Sequence, residues 1–216
     1  MVYLCQIPFS CDKGISSNKR REMIENTKNE QLKLQKFYAW KLLERAIEWH
    51  LGIEPKTVDF QECDGVFFAK DFYFSITHCS NVCAVAVSRL KPVGIDLEII
   101  DEKRWSKPYF SSILSPLEKT TFTNLTPSLL TALWTKKESI YKKEWKIGDK
   151  TPFVPQKTCT VNAKTVTKEV FYENSAFFIS VCTDSKNICF FALENTRISQ
   201  SNFRIKKQFY TTKSQS

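Results

Sequence analysis

Asp96 and Glu98 stand one residue apart in the apolar run "KPVGIDLEII", residues 91–100. On a strand, side chains alternate between faces, so the two acids share one face and Ile95, Leu97 and Ile99 share the other. The apolar face fits a core. The acidic face holds two like charges about 7 Å apart. It is either a half-exposed strand with two solvated carboxylates or a place where a cation sits between them. About forty residues later comes "LWTKKESIYK", residues 133–142. Glu138 and Lys142 are four apart and share a helix face; an ordinary surface pair at that spacing contributes about 0.3–0.5 kcal/mol. Trp134, four residues earlier, anchors the same face in the core and leaves Glu138 at its edge. Upstream, "FSITHCS" (74–80) places His78 beside Thr77 and Cys79. Taken alone, His78 is a satisfied core or turn histidine. A Cys79–His78 dyad is excluded on a strand, because neighbours point to opposite faces.

The elements that must position these groups follow from pattern. Ser17 or Asn18 caps a helix that starts in "SSNKRREMIENTKNE" (16–30). Residues 31–50 are helical, with an apolar stripe of Leu32, Leu34, Phe37, Trp40, Leu43, Ile47 and Trp49. Gly52 and Pro55 stop this helix. "TVDFQE", a turn at Asp64-Gly65, "GVFFAKDFYFSITH" and "NVCAVAVS" read as strands. The short polar connection Arg89 to Pro92 predicts that the acidic strand pairs with 82–88 in a hairpin. "SPLEK" (115–119) is a helix start, with Ser as cap, Pro in the first turn and Glu third. Residues 128–146 form a second long helix. "KTCTVNA", "TVTKEVFYE", "SAFFISVCT" and "NICFFALE" read as strands, and the basic tail "NFRIKKQFYTTKSQS" frays. Helix then strands thus occurs twice. "FSITHCSNVCAVAVS" echoes "FFISVCTDSKNICFFAL", which points to a pseudo-duplicated α+β chain with a cleft between its halves.

The 216 residues are 42% apolar, with 25% charged residues and 17 Phe, enough for one large domain or two small ones and far from a disordered composition. No apolar stretch reaches a membrane span, and "MVYLCQIPFSCDKG" lacks the pattern of a signal peptide. The eight cysteines form no CxxC pair or zinc-finger spacing; several read as small buried hydrophobes, and a reducing cytoplasm suits them. The net charge of +9 suits a nucleic acid, an anionic membrane, a phosphate-rich ligand or an acidic protein. No RNA-binding motif, zinc finger or basic heptad pattern supports nucleic acid.

"VGIDLE" followed by "LWTKKESIYK" resembles the 4′-phosphopantetheinyl transferase superfamily. Its pattern is an apolar-Gly-Ile-Asp-x-Glu strand, then Trp-[Ser/Thr]-x-Lys-Glu-[Ser/Ala] with a lysine four beyond the glutamate. "FSITHCS" and "LSPLE" resemble two further family segments, so the resemblance covers residues 74 to 142. The mid-chain position resembles the larger, surfactin-synthetase type, a monomeric pseudodimer. The resemblance implies a two-subdomain fold, each half a long helix on a small antiparallel sheet. Residues 1–91 would be the half with the CoA-binding helix and strands. Residues 92–216 would carry the metal and catalytic motifs. It implies Mg²⁺-dependent transfer of phosphopantetheine from coenzyme A to a serine of an apo acyl or peptidyl carrier protein, releasing 3′,5′-ADP. Residue by residue, it implies Asp96, Glu98 and Glu138 as Mg²⁺ ligands. Lys142 would sit on the phosphates, Glu138 or a bound water would act as base, and Glu118 would be a further catalytic acid. His78, Thr77, Lys36, Arg45 and Lys70 would bind CoA. The Lys19-Arg20-Arg21 run is either a further phosphate contact or a solvated helix face.

Three departures stand out. Thr77-His78-Cys79 replaces Ser-His-Ser. Gly65-Val66-Phe67 replaces Gly-Lys-Pro, with Lys70 as the substitute lysine. "KEWKIGDK" replaces a Gly-x-Gly segment after Lys142. The rival readings are a non-catalytic CoA- or carrier-binding protein and a basic nucleic-acid-binding protein. The positive charge favours acidic carriers, with no membrane or nucleic-acid partner.

Overall fold

The helix predicted over 31–50 forms as α2 (Glu30–Ala46) in the computed structural model, which describes residues 1–8, 14–63, 66–104, 112–122, 124–147, 152–161, 163–172, 175–185 and 188–192. Asn29 caps it by accepting from the Leu32 N–H at 2.9 Å. One wider turn, Ile47–Leu51, prolongs it, and Gly52 ends it at φ 63°, a conformation glycine adopts without strain. Trp40, Leu43 and Ile47 of the predicted stripe are fully buried, whereas Leu34 and Trp49 lie at its exposed margins. Before α2, Ser17 caps α1 (Asn18–Glu25).

β4 (Tyr73–Cys79) and β5 (Val82–Ser88) form an antiparallel hairpin through Ser80, whose φ is 53°. They belong to a four-stranded sheet with β1 (Val2–Gln6) and β9 (Phe190–Ala192), in the order β4-β5-β1-β9. β1 runs antiparallel to β5 and parallel to β9. One face, with Tyr3, Cys5, Cys83, Val85 and Val87, packs under α2. A small hairpin, β2 (Gln61–Cys63) and β3 (Val66–Phe68), lies apart; its predicted turn, Asp64-Gly65, falls outside the described residues.

The acidic run is strand β6 (Val93–Ile99). Its partner differs from the one expected. Both flanks of β5 are already taken by β4 and β1, so β6 pairs instead with β8 (Ser175–Thr183), which pairs with β7 (Thr165–Tyr172). On the other side β6 lies along β4, joined by side chains. Ile95 N–H donates to Ser75 Oγ at 3.1 Å and Leu97 N–H to Thr77 Oγ1 at 3.2 Å. These hydroxyls satisfy backbone donors that an edge strand would otherwise leave bare. Ile95 and Leu97 face a second core with Val2, Leu4, Ala84, Ile179 and Val181, so the apolar side of the period-two pattern is buried as read.

α3 (Pro116–Thr121) begins with the predicted cap and Pro at the first turn, and Glu118 completes a capping box with Ser115. α4 (Pro127–Glu144) packs on β6 and β8. The strand expected at "KTCTVNA" is absent among the described residues there; Pro155–Lys157 forms a short turn whose following residues serve α3 and α4 by other bonds. The end of the segment after Lys142, from Gly148 to Thr151, and the basic tail lie outside the described residues. No helix of the described residues is long and apolar enough to cross a membrane.

Candidate functional site

Gly94 sets how closely α4 approaches β6. A Cβ there would stand 1.9 Å from the Ser139 carbonyl oxygen and 2.5 Å from the Lys143 nitrogen, so only glycine allows this contact. Over it, the helix period aligns Trp134, Glu138 and Lys142, and the strand period aims Asp96 and Glu98 at the same face. All five line one cleft of about 1350 Å³.

Asp96 is buried, at 5% exposure. Lys142 Nζ lies 2.7 Å from its Oδ1, which also accepts from Thr77 Oγ1 at 3.2 Å. Its Oδ2 is buried with no hydrogen-bond partner among the described residues. Burial pushes the Asp96 carboxyl up, against the pull of Lys142. Glu98 is held by Arg104, with Nη1 at 2.5 Å from Oε2 and Nη2 at 3.4 Å from Oε1; Cys79 Sγ lies 3.7 Å from Oε2. Glu138 is pushed up to about 7, mainly by burial, with Lys142 opposing and Asp96 and Glu98 adding to the rise.

The same cleft also holds basic side chains. His78 is held down at about 4 by burial and by the charges of Lys142, Arg20 and Lys36. Arg20 lies over the packed rings of Trp40 and Phe67, 5.1 Å from each. Its Nε is buried with no hydrogen-bond partner among the described residues, and burial lowers the guanidinium to about 10. Trp40, Phe67 and Phe74 stand with Arg20 in the wall of the cleft. Lys143, paired with Asp184 at 2.9 Å, stands in the wall of the same cleft.

The remaining candidates lie elsewhere. Lys36 donates to Thr27 Oγ1 at 3.2 Å and reaches the cleft only through its charge on His78. Half-buried Arg45 and exposed Lys70 are not among the described residues of the cleft wall. Glu118 is fully buried beneath α4 rather than in the cleft. Its carboxylate pairs with Lys137 Nζ at 2.6 Å and accepts from Ser115 N–H, Thr160 N–H and Thr160 Oγ1 at 2.7–2.9 Å. Burial raises its pKa, but these donors outweigh that and hold it below the ordinary carboxylate value. Lys137 also donates to the carbonyls of Pro155 and Thr158.

Sequence reasoning passed over Lys137 and left Arg20 inside a charge run. For Lys137 a signal was present: it continues the buried spacing Leu130, Leu133, Ile140.

Among the described residues, no group of three His, Cys, Asp or Glu side chains converges in metal-holding geometry. Asp96 and Glu98 are turned instead to Lys142 and Arg104. The donor set nevertheless suits a hard divalent cation. It is all carboxylate oxygen, and Asp96 Oδ2 is buried without a partner.

No curated protein matches the chain. The sequence model of the 4′-phosphopantetheinyl transferase superfamily matches residues 92–199, half of the chain. That span contains Asp96, Glu98, Glu118, Glu138 and Lys142, while His78, Lys36 and Arg20 precede it. The match covers the acidic strand and the helix that carries Glu138 and Lys142, and the chain belongs to the 4′-phosphopantetheinyl transferase superfamily.

Proposed function

We propose that this protein transfers the 4′-phosphopantetheine group of coenzyme A to a serine of an apo acyl or peptidyl carrier protein and releases 3′,5′-ADP. The observation that carries this reading is that one cleft brings carboxylates and basic groups together. Asp96, Glu98, Glu138 and Lys142 line it together with Arg20 and His78, and the charges of Lys142, Arg20 and Lys36 all act on His78. Coenzyme A has the matching shape, a 3′-phosphorylated nucleoside joined to a pyrophosphate.

In this reading, Arg20, Lys36 and His78 hold the nucleotide phosphate and the aromatic walls hold the base. Asp96, Glu98 and Glu138 would hold Mg²⁺, which when bound neutralises charge on the pyrophosphate. The serine oxygen attacks the phosphorus next to the pantetheine arm. The P–O bond to 3′,5′-ADP breaks, and the serine proton passes to Glu138 or to a water beside it. Lys142 moves from Asp96 to the phosphate oxygens and balances the charge of the leaving group. Glu118 acts through Lys137, by fixing α4 against the 155–160 segment. Thr77 orients Asp96. Arg45 and Lys70 are outer basic residues of the CoA approach.

We further infer the larger, pseudodimeric type, working as a cytoplasmic monomer, with halves at 1–91 and 92–216. Its support is that α2 covers a sheet containing the β4-β5 hairpin, while α4 covers the antiparallel β6-β8-β7 sheet. The positive net charge suits acidic carriers.

One observation favours a second reading, a protein that binds CoA or a carrier without transfer. Asp96 and Glu98 already have lysine and arginine partners, as acids that need no metal would. The deciding experiment incubates the purified chain with CoA, Mg²⁺ and a panel of apo carriers, then weighs the carriers intact. Gain of one phosphopantetheine, abolished by EDTA and by Asp96→Ala, supports the transferase. CoA binding with no mass gain on any carrier supports the second reading.

A further inference from the structure

Arg104 closes the short turn Glu102–Arg104, six residues beyond Glu98. Its guanidinium grips both oxygens of Glu98 and lies over the ring of Trp134, 5.7 Å from the centroid. Trp134 is one helical turn before Glu138, so the same guanidinium stands at the outer edge of the acidic cluster. Lys142 compensates Asp96 from the inner side. The two cations therefore divide the acids between them, and Glu98 offers its best lone-pair directions to arginine.

We propose that Arg104 is a latch on the metal site, resting on the Mg²⁺ reading above. It neutralises Glu98 while the divalent cation is absent and must release it before Glu98 becomes a ligand. A carboxylate engaged by a guanidinium fork cannot present the same oxygens to a hard cation, so the two compete. Once released, the guanidinium stays at the cleft edge on Trp134, where the phosphates of CoA are its natural anion. Metal and CoA binding are thereby coupled: each makes the other's partner available.

The test is Mn²⁺ titration of the full chain by calorimetry, with and without CoA, for the unmodified protein, Arg104→Gln, Arg104→Lys and Glu98→Gln. Circular dichroism confirms the fold; the Arg104 side chain is a third exposed, so its loss leaves the core intact. Without CoA, Arg104→Gln binds Mn²⁺ about fivefold tighter, in line with the strength of a partly exposed ion pair. Arg104→Lys, which keeps the charge but loses the fork, falls between. CoA tightens Mn²⁺ binding more in the unmodified protein than in Arg104→Gln. Equal or weaker Mn²⁺ binding in Arg104→Gln overturns the latch and leaves the metal reading standing. Undiminished binding in Glu98→Gln, or no binding in any of the four proteins, overturns the metal reading itself.

Discussion

Gly94 and Ser139 meet backbone to backbone, with room for a hydrogen but not for a carbon on Gly94. Both crowding atoms, the Ser139 oxygen and the Lys143 nitrogen, are main chain and cannot rotate away. Gly94→Ala therefore forces α4 off β6. We expect a loss of about 2–3 kcal/mol in urea unfolding, in the range of core overpacking. Transfer should fall well beyond what the remaining folded fraction explains, because Glu138 and Lys142 move with the helix.

The buried Glu118–Lys137 pair makes a different prediction. Removing one partner leaves a charge in the core, so Glu118→Ala or Lys137→Met costs about 3–5 kcal/mol. The double variant Glu118→Leu with Lys137→Met recovers most of that stability, as denaturant midpoints will show. If Glu118 acts on the reaction only by supporting α4, activity returns with stability in the double variant. Lasting inactivity in a stable double variant would assign the pair a direct role.

His78 gives the molecule a pH dependence whose sign is fixed. Its folded value of about 4 lies below its ordinary 6.5. The unfolded chain thus binds more protons between those values, and the unliganded protein loses stability as pH falls through that window. His78→Asn flattens the loss. An anion beside Arg20 and His78 reverses the shift, so binding of 3′,5′-ADP takes up a proton at His78. Calorimetry at pH 5.5 in two buffers of different ionisation heat measures this uptake, and it is smaller in His78→Asn.

Glu138 has the opposite sign. Its raised value, about 7, means that its charge destabilises the unliganded fold above that pH and costs nothing below the ordinary 4.5. Glu138→Gln should therefore raise stability at pH 8 by about 1 kcal/mol, a gain that fades on acidification. The same variant should abolish transfer to any carrier that the unmodified protein accepts.

The local parts of this site were legible in the sequence. Period two in 93–99 gave the two faces of β6, and the four-residue spacings gave the shared face of Trp134, Glu138 and Lys142. The missing parts are all long-range. The ladder partner of β6 depends on which strands already flank β5, and one of those, β1, went unread because "VYLCQ" is a short apolar run without alternation. Arg20 looks like a solvated helix residue until the fold brings the packed rings of Trp40 and Phe67 under it. Glu118 was recognised correctly as a helix-capping residue, but the lysine that claims its carboxylate sits nineteen positions away on another helix.

β1 lies between β5 and β9, so the sheet that carries His78 is finished only when residues 190–192 arrive. Until residues 190–192 emerge from the ribosome, β1 is an apolar strand with one bare edge that its near neighbours in sequence do not cover. The strand at Val2–Gln6 must wait for a partner far downstream in the chain. Cutting the chain at the 89–92 connection would accordingly leave two fragments, the first short of its outermost strand and the second carrying that strand with no sheet to join.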